Sequence, residues 1–256
     1  MSLNPRITDW QAKRVWLVGA SSGIGRATAE LLHARGAQVI ASARSVQNLN
    51  ELAAQCPGLQ TVPLDASTEA AVQTAAKQIL AGGALDLVLY CAGTYSAMRA
   101  QDMDSQDIAH HMQVNYLGAI YTVAAVLPAM LARGAGHISV VSSVAGFRGL
   151  PHSLAYGPTK AALINLAETL YLDVHDAGVG VSVVNPGFVQ TSLTAQNQFH
   201  MPALIKPAQA ATELIAGWER GLFEIHFPKR FTNWLKLLRL LPYSLYFRVT
   251  RRFTGL

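Results

Sequence analysis

Short apolar runs alternate with amphipathic stretches over most of the chain. Residues 15–18, 37–42, 59–64, 85–91, 137–142, 179–185 and 222–227 are compact and apolar, and they predict strands. Between them, apolar residues recur at i, i+3 and i+4, predicting helices from residue 27 to 32 and over about 46–55, 68–80, 106–133, 154–176 and 207–220. Strands without a polar face must be covered on both sides, which implies a parallel sheet between helical layers. The right-handed crossover rule then gives a doubly wound α/β sheet, with ligands expected at the carboxyl ends of the strands. One domain over residues 1–227 follows, without internal repeats or low-complexity segments.

Residues 228–256 follow a different pattern. Phe231, Trp234, Leu235, Leu238 and Leu241 keep helical spacing, while Lys229, Asn233 and Lys236 collect on another side. After Pro242 come Tyr243, Leu245, Tyr246 and Phe247, then Arg248, Arg251 and Arg252. Of the 20 Lys and Arg residues seven lie after Glu224, and none of the 15 Asp and Glu do. The net charge of +5 therefore belongs to this basic amphipathic helical extension, and a general nucleic-acid-binding face is not implied. Two readings stand for the extension: a helix lying in a membrane interface, or one packed on its own or a neighbouring subunit. An anionic bilayer would attract such charge at about 1 kcal/mol per Lys or Arg near the surface.

In 256 residues, 51% of them hydrophobic, there is ample material for one core. Residues 1–11 carry no signal-like run, and no stretch approaches the roughly 18 apolar residues of a membrane span, so the expected location is cytoplasmic. Cys56 and Cys91 are too few for a disulfide framework or a thiolate metal site, and Cys91 ends an apolar run where a buried, inert thiol is expected. His110 and His111 are adjacent on a helix and point apart, which suits surface residues better than metal ligands.

Tyr156-Gly157-Pro158-Thr159-Lys160 places a phenol and an ammonium four residues apart at the start of a predicted helix. Positions i and i+4 share a face, so the Lys160 charge is expected to lower the Tyr156 pKa from about 10 towards working pH. Taken alone, the pair better suits a half-buried Tyr beside a snorkelling Lys. Gly19-Ala20-Ser21-Ser22-Gly23-Ile24-Gly25 joins the first predicted strand to a helix. Its glycines permit a tight turn close to a pyrophosphate, and the helix start offers unpaired N–H groups to an anion.

These segments resemble the short-chain dehydrogenase/reductase family, of the classical type, over roughly residues 12–225. Gly19 to Gly25 matches the family's cofactor turn, and Cys91-Ala92-Gly93 stands where the family has Asn-Ala-Gly. Asp65 follows the third strand, Asn115 lies in Val114-Asn115-Tyr116-Leu117-Gly118, and Ser143 lies in Ser142-Ser143-Val144-Ala145-Gly146. Tyr156 and Lys160 follow, and Asn185-Pro186-Gly187-Phe188-Val189-Gln190-Thr191 matches the segment that contacts nicotinamide.

The resemblance implies a Rossmann fold, a nicotinamide cofactor and a small-molecule carbonyl or alcohol substrate. It also implies a dimer or tetramer formed through the helices at 106–133 and 154–176. Asn115, Ser143, Tyr156 and Lys160 become the catalytic residues: Tyr156 exchanges the proton on the substrate oxygen and Ser143 holds that oxygen. Lys160 acts on Tyr156 and grips the ribose hydroxyls, and Asn115 deforms its helix so that a backbone carbonyl orders a proton-conducting water. The cofactor would lie against Gly19, Ser21, Ser22, Gly23, Ile24, Gly25, Arg44, Asp65, Ala92, Gly93, Tyr156, Lys160, Pro186, Gly187, Val189 and Thr191. Spacing to Tyr156 selects Ser143, although the adjacent Ser142 would point to the opposite face of an extended chain. The same fold also serves as a non-catalytic nucleotide sensor or interaction protein, a reading the four catalytic positions argue against.

At the end of the second strand an NAD-preferring site needs an acid, and this chain has Ala43 followed by Arg44, favouring NADP(H) over NAD(H). Ser42 and Ser45 could add hydrogen bonds to a 2′-phosphate. Val18 and Tyr90-Cys91 depart from the family's usual Thr and two Asn, removing hydrogen bonds between central strands, and Pro158 replaces the common Ala, at little cost in a first helical turn but kinking the helix if it lies farther in. Residues 191–206, with Leu193, Phe199, Met201, Pro202 and Leu204, correspond to the family's substrate lid, and their apolar content suits a lipophilic substrate and a lid packed on its own core equally. Phe147, Leu150 and His152 are further candidates to line its pocket.

Overall fold

The computed structural model describes residues 2–197 and 201–254, so Phe199 of the expected lid lies outside the described residues. In chain order the elements are β1 (Arg14–Val18), α1 (Gly23–Ala34), β2 (Gln38–Ala43), α2 (Val46–Gln55), β3 (Gln60–Pro63), α3 (Glu69–Ala81) and β4 (Leu87–Tyr90). They continue with α4 (Ser105–Met112), α5 (Gly118–Arg133), β5 (Gly136–Val141), α6 (Tyr156–Val174), β6 (Val179–Pro186), α7 (Pro207–Glu219) and β7 (Glu224–Phe227). Two helices, α8 (Lys229–Arg239) and α9 (Tyr243–Thr254), complete the chain.

The sheet is wholly parallel, seven-stranded, in the order β3-β2-β1-β4-β5-β6-β7. This is the doubly wound sheet expected, and the order reverses between β1 and β4. Alternate strand residues feed two cores. Trp16, Val18, Val88, Tyr90, Ile138 and Val181 pack under α3, α5 and α6, whereas Val15, Leu17, Leu87, Leu89 and Val184 pack under α1, α2 and α7. Each such side chain withdrawn from water contributes about 1.5–3 kcal/mol, and the polar residues buried on β5 and β6, His137, Ser139 and Ser182, are joined to one another and to the Trp218 indole by hydrogen bonds.

One helix departs from regularity where the site needs it. Between α4 and α5 the stretch Gln113–Leu117 is a π-helical turn. The Tyr90 hydroxyl donates to the Val114 carbonyl, and the Asn115 side chain turns to the loop after β4. The widened turn frees backbone groups for such side-chain partners. The whole helical stretch Ser105–Arg133 is, contrary to expectation, long and apolar enough by length and composition to cross a membrane. Its Val123, Val126 and Met130 are instead buried in the core.

His111 is also not a surface residue. It is 1% exposed, its Nε2 accepting the Ser96 N–H at 3.0 Å and its Nδ1 lying 2.8 Å from the Asp107 carbonyl oxygen. The local fold uses it to anchor the loop after β4.

Candidate active site

A crevice of about 430 Å³ opens at the carboxyl ends of β1, β2, β4, β5 and β6, at the point where strand order reverses. At one end lie Arg44 and Asp65, in the middle Gly19, Ser21, Ser22, Gly23 and Ile24, and at the other Ser143, Tyr156 and Lys160. Ala92, Gly93, Pro186, Gly187, Val189 and Thr191 border it as well. Gly25 and Asn115 stand just behind this wall.

The glycine turn is packed to its limit. A Cβ on Gly19, whose φ is +93°, would sit 2.4 Å from the Ala92 nitrogen, and one on Gly25 would sit 2.2 Å from the Gly19 carbonyl oxygen. Only glycine allows β1 to turn this tightly against β4. Ser22, the N-cap of α1, makes no side-chain cap hydrogen bond, and no acid occupies the first turn. The first amides of α1 are thus left without those partners beside the crevice, the arrangement a pyrophosphate requires.

Tyr156 and Lys160 both fall at the start of α6, with the Lys160 ammonium 5.3 Å from the centre of the phenol ring. Pro158 is the third residue of the helix, where a missing N–H breaks no intrahelical bond. Lys160 is 4% exposed, and its Nζ donates to the Val141 carbonyl at 2.9 Å. Burial lowers its pKa to about 8. Tyr156 is pushed up from its ordinary value by burial, with a Ser143 hydrogen bond pulling the other way. The expected lowering by Lys160 is therefore corrected: desolvation penalises the phenolate, and the Ser143 hydrogen bond offsets it only in part.

The two serines divide their work. Ser142 Oγ donates to the Lys160 carbonyl at 2.6 Å, fastening α6 to β5, while the Ser143 hydroxyl accepts from the Ala145 N–H and meets Tyr156. Asn115 spans the remaining gap. Its Oδ1 accepts the Thr94 N–H at 2.7 Å, and its Nδ2 donates to the Thr94 carbonyl at 3.0 Å and to Thr159 Oγ1 at 3.1 Å. The π-turn residue thus locks the loop after β4 to the helix that carries Tyr156 and Lys160.

At the far end Arg44 is exposed, and Asp65 is held below the usual carboxylate range, chiefly by the Ser67 hydroxyl at 2.7 Å and also by the Arg44 charge. Ser42 cannot assist there. It is fully buried, and its Oγ accepts the Trp16 indole N–H at 2.9 Å. Ser45 borders the crevice and caps α2 by accepting the Asn48 N–H. Cys91 also borders the crevice rather than lying wholly inside the core, but burial lifts its thiol to about 11, so it stays protonated.

Phe147 is buried in the core, His152 is exposed with φ of +57°, and Leu150 is half-buried away from the crevice. Sequence reasoning overlooked Tyr95, whose ring meets that of Tyr156 edge-on at 5.2 Å between centroids. Its hydroxyl lies 3.0 Å from the Asn197 side-chain oxygen, joining it to the segment after β6. No local pattern marks Tyr95; only its place just past the carboxyl end of β4 could have suggested it.

The model for the short chain dehydrogenase family matches residues 13–201. An uncharacterized oxidoreductase of Myxococcus xanthus is 35% identical over 241 residues, covering 92% of this chain and 95% of the relative. Another from Staphylococcus aureus is 35% identical over 183 residues, covering 70% and 79% respectively. Among solved structures, a short-chain dehydrogenase/reductase from Burkholderia phymatum in complex with NAD superposes with a TM-score of 0.82 at 25% identity, covering 90% of this chain and 94% of that one. A short-chain dehydrogenase from Streptomyces avermitilis gives 0.81 at 26% identity, covering 88% and 92%. With the strand order, the glycine turn and the convergence of Ser143, Tyr156 and Lys160 in one crevice, these likenesses place the chain in the short-chain dehydrogenase/reductase family of oxidoreductases.

Proposed function

We propose that this protein is an NADP(H)-dependent oxidoreductase that interconverts a lipophilic ketone or aldehyde and its alcohol, with Tyr156 as the general acid and base. The observation that carries the reading is the meeting of Ser143, Tyr156 and Lys160 at one end of a crevice whose other end presents Arg44, with Ala43 and not an acid at the end of β2. When bound, the nicotinamide supplies or accepts the hydride. The amides of residues 19–24 would hold its phosphates, Arg44 the 2′-phosphate, Asp65 and Ala92-Gly93 the adenosine side, and Pro186 to Thr191 the nicotinamide side.

Burial keeps the Tyr156 phenol protonated near neutrality, the state needed to give a proton to the oxygen of a carbonyl being reduced. Ser143 holds that oxygen and stabilises its developing charge. Lys160, still largely cationic below pH 8, stabilises the phenolate left behind. In the reverse direction Tyr156 must first lose its proton, so alcohol oxidation is favoured by raised pH.

Fluorescence titration with NADPH and NADH, followed by a panel of carbonyls, tests both parts. Arg44→Ala is expected to weaken NADPH binding about 10- to 100-fold and to leave NADH nearly unchanged, as loss of a charge-assisted hydrogen bond implies. Tyr156→Phe should retain nucleotide binding and lose about 10²- to 10⁴-fold in kcat. Equal affinity for the two nucleotides would remove the Arg44 argument, and undiminished turnover in the phenylalanine variant would remove the mechanism.

A further inference from the structure

The helical pair α8–α9 stands at the substrate end of the crevice and turns an apolar, basic face outward. Its inner side is built in. Phe231 packs on Phe188 with ring centres 5.6 Å apart, and Tyr246, 3% exposed, donates its hydroxyl to the Gly149 carbonyl at 2.7 Å. Arg148, in the loop between Ser143 and Tyr156, donates to the Leu241 carbonyl at 2.6 Å and lies over the rings of Tyr243 and Tyr246 at 4.5 and 4.3 Å. The extension is thereby fastened to the segments that flank Ser143, Tyr156 and Gly187.

The outer side is the reverse of a solvent-facing helix. On α8, Trp234 is 43% exposed and Leu237 61%, and Leu240, which caps the helix, is 78% exposed, with Lys229 and Arg230 exposed as well. On α9, Arg248 and Arg251 point outward next to Phe247, which is 55% exposed. Phe253 meets Trp234 edge-on at 5.4 Å, making the two helices one surface. Among the described residues, Lys236 alone of the extension's cations makes an ion pair, with Glu224 on β7.

We infer that this face docks on an anionic lipid bilayer, with Trp234, Leu237 and Leu240 entering the interface and Arg230, Arg248, Arg251 and Arg252 meeting the headgroups. Charge decides between occupants. A second copy bound through the same face would set these unpaired cations against themselves, because a two-fold contact is self-complementary. An anionic bilayer supplies both the apolar phase and the opposite charge. Docking in this pose brings the substrate end of the crevice to the membrane, so that a lipophilic carbonyl can enter from it; that last clause rests on the proposed oxidoreductase reading.

The test uses the full chain without nucleotide, sedimented with vesicles of phosphatidylcholine alone or with about one third phosphatidylglycerol. Association is expected with the anionic vesicles, weakening as salt is raised. Trp10, Trp16 and Trp218 are buried, so a blue shift of tryptophan emission on binding reports Trp234 and should vanish in Trp234→Phe. Arg251→Ser with Arg252→Ser should weaken association about 30-fold, from the loss of two surface charges. Leu237→Asp with Leu240→Asp should abolish it while leaving the thermal transition of the protein in place. No association with anionic vesicles at low salt, or equal association of wild type and these variants, overturns the proposal. So does a dimer that the leucine changes dissolve while vesicles have no effect. None of these readouts involves turnover, so their failure leaves the oxidoreductase reading standing.

Discussion

Replacing Lys160 with methionine should remove one limb of the pH–stability curve. The Lys160 ammonium is almost wholly buried and has the Val141 carbonyl as its hydrogen-bond acceptor at 2.9 Å. An ammonium has three donors to satisfy, so its charged form is costly there, and the pKa falls from 10.5 to about 8. Below pH 8 the folded and unfolded chains both hold the proton, and Lys160 contributes no slope. Between pH 8 and 10.5 the unfolded chain still holds a proton that the folded chain has released, so stability rises with pH. A drop of this size is worth about 3 kcal/mol in full, of which about 2–3 kcal/mol is developed by pH 10. Tyr156 and Cys91 act oppositely. Their folded values are raised, so the stability they contribute is lost as pH passes their unfolded values near 10 and 9. Both remain in the variant and largely cancel in the difference. Urea unfolding of wild type and Lys160→Met, each without nucleotide from pH 7 to 10, should therefore show a stability difference that moves by about 2–3 kcal/mol in favour of wild type. Parallel curves would mean that the folded protein keeps the Lys160 proton to pH 10, and the burial argument would fall.

Three further substitutions probe the frame around the site. Gly19→Ala places a Cβ 2.4 Å from the Ala92 nitrogen at φ of +93°, and should lower the melting temperature and abolish nucleotide binding, read by calorimetry and fluorescence. Gly118→Ala drives a Cβ to 2.1 Å from the Tyr90 hydroxyl oxygen and 2.7 Å from the Ala66 carbonyl oxygen, and Tyr90→Phe relieves the first of these clashes. The double variant should be less destabilised than the two single changes summed, by about 0.5–3 kcal/mol in a double-mutant cycle. Arg148→Ala leaves the Leu241 carbonyl and two aromatic faces without their cation, and should raise amide hydrogen exchange across α8 and α9 while leaving β1 to β6 protected.

The parts of this molecule that could be read from the sequence are those in which near neighbours carry the physics. The apolar run Val15-Trp16-Leu17-Val18 and the valine-rich Val179 to Val184 read as strands covered twice, and crossover handedness then fixes the sheet. Tyr156 and Lys160 declare their proximity through helical spacing, and the glycine turn through its need for positive φ at Gly19 and Gly23. The resemblance to a family carried the rest of the crevice, since Ser143 and Pro186 line it and Asn115 backs it from separate strands and helices that no local pattern joins.

What stayed illegible was every feature decided by a partner far along the chain. Ser42 looks like a ligand for a 2′-phosphate until Trp16, 26 residues earlier, is seen to claim its hydroxyl. Tyr90 reads as the loss of a strand-tying amide, yet its hydroxyl crosses to the Val114 carbonyl and occupies the space beside Gly118, tying β4 to the π-turn. Asn115 continues that link to Thr94 and Thr159, so a substitution that appears to loosen the central strands stands instead in a chain of contacts ending at α6. The same logic applies to the extension. Its amphipathic pattern was plain, but contacts with distant partners, Arg148 with Leu241, Gly149 with Tyr246 and Phe188 with Phe231, determine which side is fastened inward and therefore which side is left bare. The position of Lys160 and the exposure of Trp234 are thus both consequences of long-range hydrogen bonds to backbone carbonyls, one fixing the ammonium under Tyr156 and the other fixing the helices beside the mouth of the same crevice.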